Sequence, residues 1–215
     1  MQIPHFNCTT CGKLAVHPDA AKWRKGINHL DHPFSFWEEL VPPEICDNII
    51  VLGERKEGNE ASVGMGGDQQ VDTTIRKSEV SWLYPNDCPW LYDVIWKCAQ
   101  HNVWEYDIRG FVDNLQYTVY DSADEQHYDW HQDIGPNHNH RKISFVMLLS
   151  DPNEYEGGDF EIGQPGGGPR AHTVVPTKGK GSAFLFPSFL SHRVSPVTQG
   201  VRRSLVTWIA GPKLK

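Results

Sequence analysis

Two kinds of hydrophobic spacing divide this chain near Trp104. Before it, apolar residues recur at helical intervals in two places. In "VPPEICDNIIVLGER", Pro42 and Pro43 lead into Ile45, Ile49, Ile50 and Leu52. Proline suits the first helical position, where its missing N–H would have no partner, so the spacing predicts a helix ending near Gly53 or Gly58. "CPWLYDVIWKCAQHNVW" sets Leu91, Val94, Ile95 and Cys98 on one stripe, a second amphipathic helix. Between them "NEASVGMGGDQQVDTT" is polar and glycine-rich and reads as a loop.

After Trp104 the spacing changes to short runs broken by turn residues, the pattern of a sandwich or barrel. Strands are predicted over 113–120, 127–133, 142–149, 159–162, 172–175, 182–186, 192–194 and 204–209. Their connectors, "DIGPNHNH", "SDPNEYEGG", "GQPGGGPR" and "PTKGKG", are rich in Gly, Pro, Asn and Asp. The expected architecture is mainly β within an α+β whole, with helices first and a jelly-roll-like half second. No internal repeat is visible.

Composition fits that picture. At 215 residues, with 39% hydrophobic, 22% charged and 11% aromatic residues, the chain suits one ordinary globular domain. A formal charge of -7 argues against a nucleic-acid groove. No apolar run approaches the roughly twenty residues that span a bilayer, and 1–11 lacks the basic-then-apolar order of a signal peptide. A cytoplasmic protein with no membrane partner is expected. Five cysteines, dispersed apart from Cys8-x-x-Cys11, do not make a secreted disulfide framework. That pair, near His5 and His17, supplies half a tetrahedral zinc site, and free thiols are the first reading.

The densest chemistry lies in "HYDWHQDIGPNHNH". Residues two apart on a strand share a face, about 6.6 to 6.8 Å apart, so His-x-Asp can converge an imidazole and a carboxylate on one metal. Two such pairs overlap, His127 with Asp129 and His131 with Asp133, and all four share one parity. Position favours the second, at the strand's end before the turn at Gly135 and Pro136, because metal sites of barrels sit at the mouth. His192, after the Phe-Pro turn of "FLFPSFLSHRVSPV", is the candidate third ligand. Two histidines and a carboxylate leave positions open on an octahedral ion and point to Fe(II), with zinc as an alternative. In "GVRRSLVTW", Arg202 and Ser204 alternate onto one face of a half-apolar strand. A buried guanidinium needs an anionic partner, either a nearby acid or the far carboxylate of a small dicarboxylate that chelates the metal.

The ordered blocks "LQYTVYDSADEQHYDWHQD", "ISFVMLLSDPNEYEGGDFEI" and "GSAFLFPSFLSHRVSPVTQGVRRSLVTW" resemble the 2-oxoglutarate- and Fe(II)-dependent dioxygenases of the prolyl 4-hydroxylase superfamily, including PKHD-type hydroxylases. "FWEELVPPEICDNII" and "RKSEVSWL" resemble the N-terminal part of that family. The resemblance implies a double-stranded β-helix core over 111–211, helical support over 31–110 and an extension over 1–30. It implies iron on His131, Asp133 and His192, since the family tyrosine three positions before the first ligand matches Tyr128. His127 and Asp129 become neighbours. Arg202, a lysine in many relatives, would grip the far carboxylate of 2-oxoglutarate with Ser204. Tyr120 matches a cosubstrate-contacting tyrosine, with Tyr117 as its rival because the stretch between Tyr120 and Tyr128 is one residue longer than in some relatives. The implied activity is hydroxylation of a C–H bond with release of succinate and CO2, a peptidyl proline being the first substrate candidate and ascorbate a further cofactor candidate. The rivals are a non-catalytic metal and 2-oxoacid sensor and a zinc hydrolase on the same ligands.

Other features read as structure first. Tyr128, Trp130 and Trp208 are taken as packing residues, and His138 and His140 as solvated loop residues. "DPNEYEGGDFEI" puts Glu156 and Ile162 where a calcium loop requires Gly and Glu. "GQPGGGP" and "TKGKGS" lack phosphate-loop spacing and read as turns. The loop at 64–67 and the segment 68–76 are a candidate lid over the substrate.

Overall fold

Proline opens both expected helices, α1 (Pro43–Glu54) and α2 (Pro89–Gln100). Glu44 in the first turn of α1 and Lys97 in the last turn of α2 each complement the helix dipole. The computed structural model describes residues 33–61, 72, 74–163, 172–174 and 179–213. The extension 1–30 with Cys8 and Cys11, the loop 64–67 and the glycine-rich stretch 164–169 lie outside the described residues. Among the described residues no helix is long and apolar enough to cross a membrane.

In chain order the strands are β1 (Ser35–Trp37), β2 (Asn59–Glu60), β3 (Arg76–Lys77), β4 (Glu79–Leu83), β5 (Gly110–Phe111), β6 (Leu115–Asp121) and β7 (His127–His131), followed by β8 (Arg141–Leu148), β9 (Tyr155–Gly157), β10 (Phe160–Gly163), β11 (His172–Val174), β12 (Ala183–Pro187), β13 (Ser191–Val194) and β14 (Val197–Ala210). The larger sheet runs β1-β12-β8-β14-β6-β4-β2, with β5 and β9 also paired to β14. The smaller runs β11-β10-β13-β7-β3. Pairing is antiparallel throughout the described ladders.

Alternation on the larger sheet sorts its side chains into two apolar clusters. Leu115 and Tyr117 of β6, Ile143, Phe145 and Met147 of β8, and Leu205 and Ile209 of β14 pack with Ile49 of α1 and Leu91, Val94, Ile95 and Cys98 of α2. Each large side chain fully buried there contributes roughly 1.5 to 3 kcal/mol. The alternate residues, Tyr120, Val146, Leu148, Phe184 and Phe186, meet Phe160, Ile162 and Val194 from the smaller sheet. The inner cluster therefore lies between the sheets.

Two sequence expectations change. The segment over 31–110 supplies β1 to β4 to both sheets as well as the helices. Those strands are two to five residues long, too short for a readable alternation. Strand β7 ends at His131 and not at 133, and β14 begins at Val197 and not at 204. The polar start of β14 hides because it pairs the short β9 across an irregular register, with Gly200 at φ +69°. Helix α1 ends at Glu54, near Gly53 as the sequence suggests, and Gly53 has a further role. It lies inside α1, buried, and a Cβ there would sit 2.4 Å from the Tyr117 ring. Only glycine lets helix and sheet approach that closely.

Candidate active site

A β-bulge decides which histidine reaches the inner face. His131 lies opposite His192 of β13, while Tyr128 lies opposite both Val194 of β13 and Arg76 of β3. Three residues of β7 thus span the distance covered by two of β13, so Asp129 and Trp130 together oppose Arg193. The extra residue breaks simple parity and puts Tyr128 and His131 on one face, where their rings stack with centroids 3.4 Å apart. His127 lies outside the cluster, with Nδ1 3.1 Å from the Glu125 carbonyl, and Asp129 turns its carboxylate to the Trp130 N–H at 2.7 Å. Trp130 is 39% exposed beneath the Arg193 guanidinium.

His131, Asp133 and His192 converge so that one ligand atom from each lies within 4.8 Å of the others. His131 Nε2 is 3.8 Å from Asp133 Oδ1, and His192 Nε2 is 3.4 Å from Asp133 Oδ2. Each imidazole is turned by its other nitrogen, His131 Nδ1 lying 2.7 Å from the Asp129 carbonyl and His192 Nδ1 2.9 Å from that of Leu190. Nδ1–H donation to those carbonyls leaves the Nε2 lone pairs facing the centre, the tautomer a metal ligand needs. Burial, then the neighbouring His192, push His131 down to about 3, so its ring is neutral at pH 7. Burial acts to raise the Asp133 carboxyl, but His192, His131, the Ser144 hydroxyl and Arg141 outweigh it and hold it below the usual range. The neutral His131 imidazole and the ionised Asp133 carboxylate, with His192 Nε2 turned toward them, form a donor set ready for a divalent cation.

These groups line a cavity of about 460 Å³ between the sheets, shared with Arg202, Ser204, Tyr120, Tyr128 and Arg76. Arg202 is 1% exposed. Its Nη1 donates to Ser204 Oγ at 3.1 Å, whereas Nε and Nη2 are buried with no hydrogen-bond partner among the described residues. Tyr120 lies directly across the ladder, with the guanidinium 5.6 Å from its ring centroid. A buried cation with two unused donors costs stability unless an anion enters, so this end of the cavity fits a carboxylate. Gly158, at φ +63°, leaves the room: a Cβ there would stand 2.7 Å from Arg202 Cδ.

The structure separates the two candidate tyrosines. Tyr120 faces the cavity, while Tyr117 belongs to the outer cluster over Gly53, on the opposite face of β6, and is no partner for a ligand between the sheets. The clue was present in "LQYTVY", where Tyr120 shares parity with polar Gln116 and Thr118, and Tyr117 with Leu115 and Val119. Tyr128 and Trp208, read as packing, both line the cavity. Burial pushes the Tyr128 hydroxyl up to about 12, and Arg76 stacks 4.6 Å from its ring centroid. Trp208 lies 3.9 Å beneath the Arg141 guanidinium, with its indole N–H buried and unpartnered among the described residues. His138 also lines the mouth, whereas His140 does not. Arg76 and Arg141 carried no chemical reading from sequence, since their partners lie on distant strands.

The sequence model of the 2OG-Fe(II) oxygenase superfamily matches residues 115–210. A PKHD-type hydroxylase of Parvibaculum lavamentivorans is 42% identical over 67 residues, covering 31% of this chain and 28% of that protein. The chain thus spans under a third of the length of the curated relatives it matches first. In fold it is similar to a prolyl-4-hydroxylase from Pseudomonas putida, at TM-score 0.65 and 19% identity over 93% of this chain and 98% of the other. It is also similar to a prolyl hydroxylase from Trichoplax adhaerens in complex with a hypoxia inducible factor oxygen degradation domain peptide fragment. There the TM-score is 0.64 and the identity 14%, over 89% and 90% of the two chains. The two facing antiparallel sheets are accordingly a double-stranded β-helix, and within it residues 115–210 are similar in sequence to the 2OG-Fe(II) oxygenase superfamily.

Proposed function

We propose that the chain is an Fe(II)- and 2-oxoglutarate-dependent dioxygenase that hydroxylates a C–H bond, with a peptidyl proline as the first candidate substrate. One observation carries the reading: Arg202, buried and with two unused donors, shares a cavity with the His131, Asp133 and His192 cluster. A zinc hydrolase on the same ligands would have no use for that guanidinium. A carboxylate bound elsewhere by iron has every use for it.

His131, Asp133 and His192 would hold the iron, leaving positions for a 2-oxoacid and dioxygen. Arg202 and Ser204 would take the far carboxylate of 2-oxoglutarate, with Tyr120 beside it. Bound iron would supply the coupling of 2-oxoglutarate decarboxylation, giving succinate and CO2, to insertion of the second oxygen atom of O2 into a substrate C–H bond. Phe160, Phe186, Val146 and Val206 line the same cavity and would keep water from the reacting centre. The peptide reading is supported by the peptide in the Trichoplax complex. Ascorbate as an accessory reductant and a cytoplasmic location belong to the same proposal.

The test is aerobic turnover with Fe(II), 2-oxoglutarate and proline-containing peptides, with and without ascorbate. Succinate formation that needs both iron and O2, stimulated by a peptide that gains one oxygen atom, is the expected result. Activity of the zinc-loaded chain without O2, indifferent to Arg202→Met, would contradict it.

A further inference from the structure

Asp133 is held from behind by groups that no step above uses. Ser144 of β8 and Ser188, in the turn after β12, are both fully buried, and their hydroxyl oxygens lie 3.0 Å apart. Ser144 Oγ is also 2.5 Å from Asp133 Oδ2. A hydroxyl has one proton, and an ionised carboxylate only accepts. Ser144 must therefore donate to Asp133, which leaves its oxygen to accept the proton of Ser188. The direction of the chain follows from chemistry: Ser188 to Ser144 to Asp133.

The same turn grips the ligand's backbone. The Asp133 N–H donates to the Ser188 carbonyl at 3.0 Å, and the Ser188 N–H donates to that of Lys142 at 3.0 Å. From Ser188 the chain passes directly into β13, which carries His192. We infer that Ser144 and Ser188 are positioning residues for the metal centre: their hydroxyl chain fixes the rotation of the Asp133 carboxylate and ties it to the turn that launches His192. A free carboxylate can rotate and offer either or both oxygens to a cation. With one lone pair of Oδ2 committed to a charge-assisted hydrogen bond, roughly twice as strong as a neutral one, the carboxylate is held in one orientation toward the two imidazoles. This inference rests on the reading of Asp133 as a metal ligand, and it concerns binding of the metal, not turnover.

The experiment is Co(II) titration of the metal-free full chain, followed by calorimetry and by visible d–d absorption, for wild type, Ser144→Ala, Ser144→Thr and Ser188→Ala. The melting temperature of each metal-free protein is measured alongside. Loss of the hydroxyl at 144 is expected to weaken Co(II) binding about 10-fold or more, as for other groups that orient a ligand, and to shift its absorption. The metal-free melting temperature should move by less than about 4 °C. Ser144→Thr should restore most of the affinity, and Ser188→Ala, which removes only the polarising bond, should lose less than Ser144→Ala. Unchanged affinity and spectrum in Ser144→Ala would overturn the inference, as would an affinity loss matched by a fall in metal-free stability and not rescued by threonine. A wild type that binds no Co(II) would instead overturn the metal-centre reading beneath it.

Discussion

The two apolar clusters are built from alternate residues of the same strands, yet they serve opposite ends. On β8, Ile143 and Phe145 face the helices, while Ser144 between them faces Asp133. On β14, Leu205 and Ile209 face the helices, while Arg202, Ser204 and Trp208 face the cavity. The outer cluster is made of aliphatic, aromatic and thiol side chains; burial pushes Cys46 and Cys98 up to about 12, so they are inert thiols. The inner face buries an arginine, a carboxylate and two histidines, each costly to desolvate, and leaves donors unused. One face stabilises the fold, and the other keeps polar groups that only ligands can satisfy.

That contrast can be broken in graded ways. His131→Ala should bring succinate formation down to background while leaving metal-free stability within about 1 kcal/mol, because the lost side chain is a desolvated polar group; a stability loss like that of a core truncation would blur the distinction between faces. Phe145→Ala should do the reverse, costing about 3 to 5 kcal/mol in chemical denaturation with unaltered 2-oxoglutarate affinity in the fraction that stays folded. Arg202→Met should raise the half-saturating 2-oxoglutarate concentration about 100-fold, about 2.7 kcal/mol, and leave metal-free stability unchanged or higher, since an uncompensated buried charge is removed. The subtlest contrast is in pH. His131 is held at about 3 in the folded chain against 6.5 for a free imidazole, so below 6.5 the unfolded chain binds the extra proton. Metal-free stability should be full above pH 6.5 and fall toward pH 3 by up to about 1.4 kcal/mol per unit, and His131→Gln should flatten that limb.

Periodicity made much of this legible. Both helices, most of the strands after Trp104 and the face shared by Arg202 and Ser204 follow from spacing alone. The four polar residues of parity 127, 129, 131 and 133 show where spacing stops being enough. Nothing in "HYDWHQD" announces a bulge at Asp129 and Trp130, because a bulge is a relation between β7 and β13 and not a property of either. For the same reason Tyr128 looked outward and Arg76 carried no meaning until their strands paired. The Tyr117 and Trp208 assignments are different: both residues lie inside the predicted strands, and alternation along β6 and β14 already held the information.

The most direct test is an anaerobic titration of Fe(II) into the metal-free chain with 2-oxoglutarate, watching for the weak visible charge-transfer band of an oxoacid chelated to iron. The account predicts a band in wild type and in His127→Ala, none in His131→Ala, and a band in Arg202→Ala that forms only at much higher 2-oxoglutarate. Iron bound by the wild-type chain with no such band at saturating 2-oxoglutarate would contradict it.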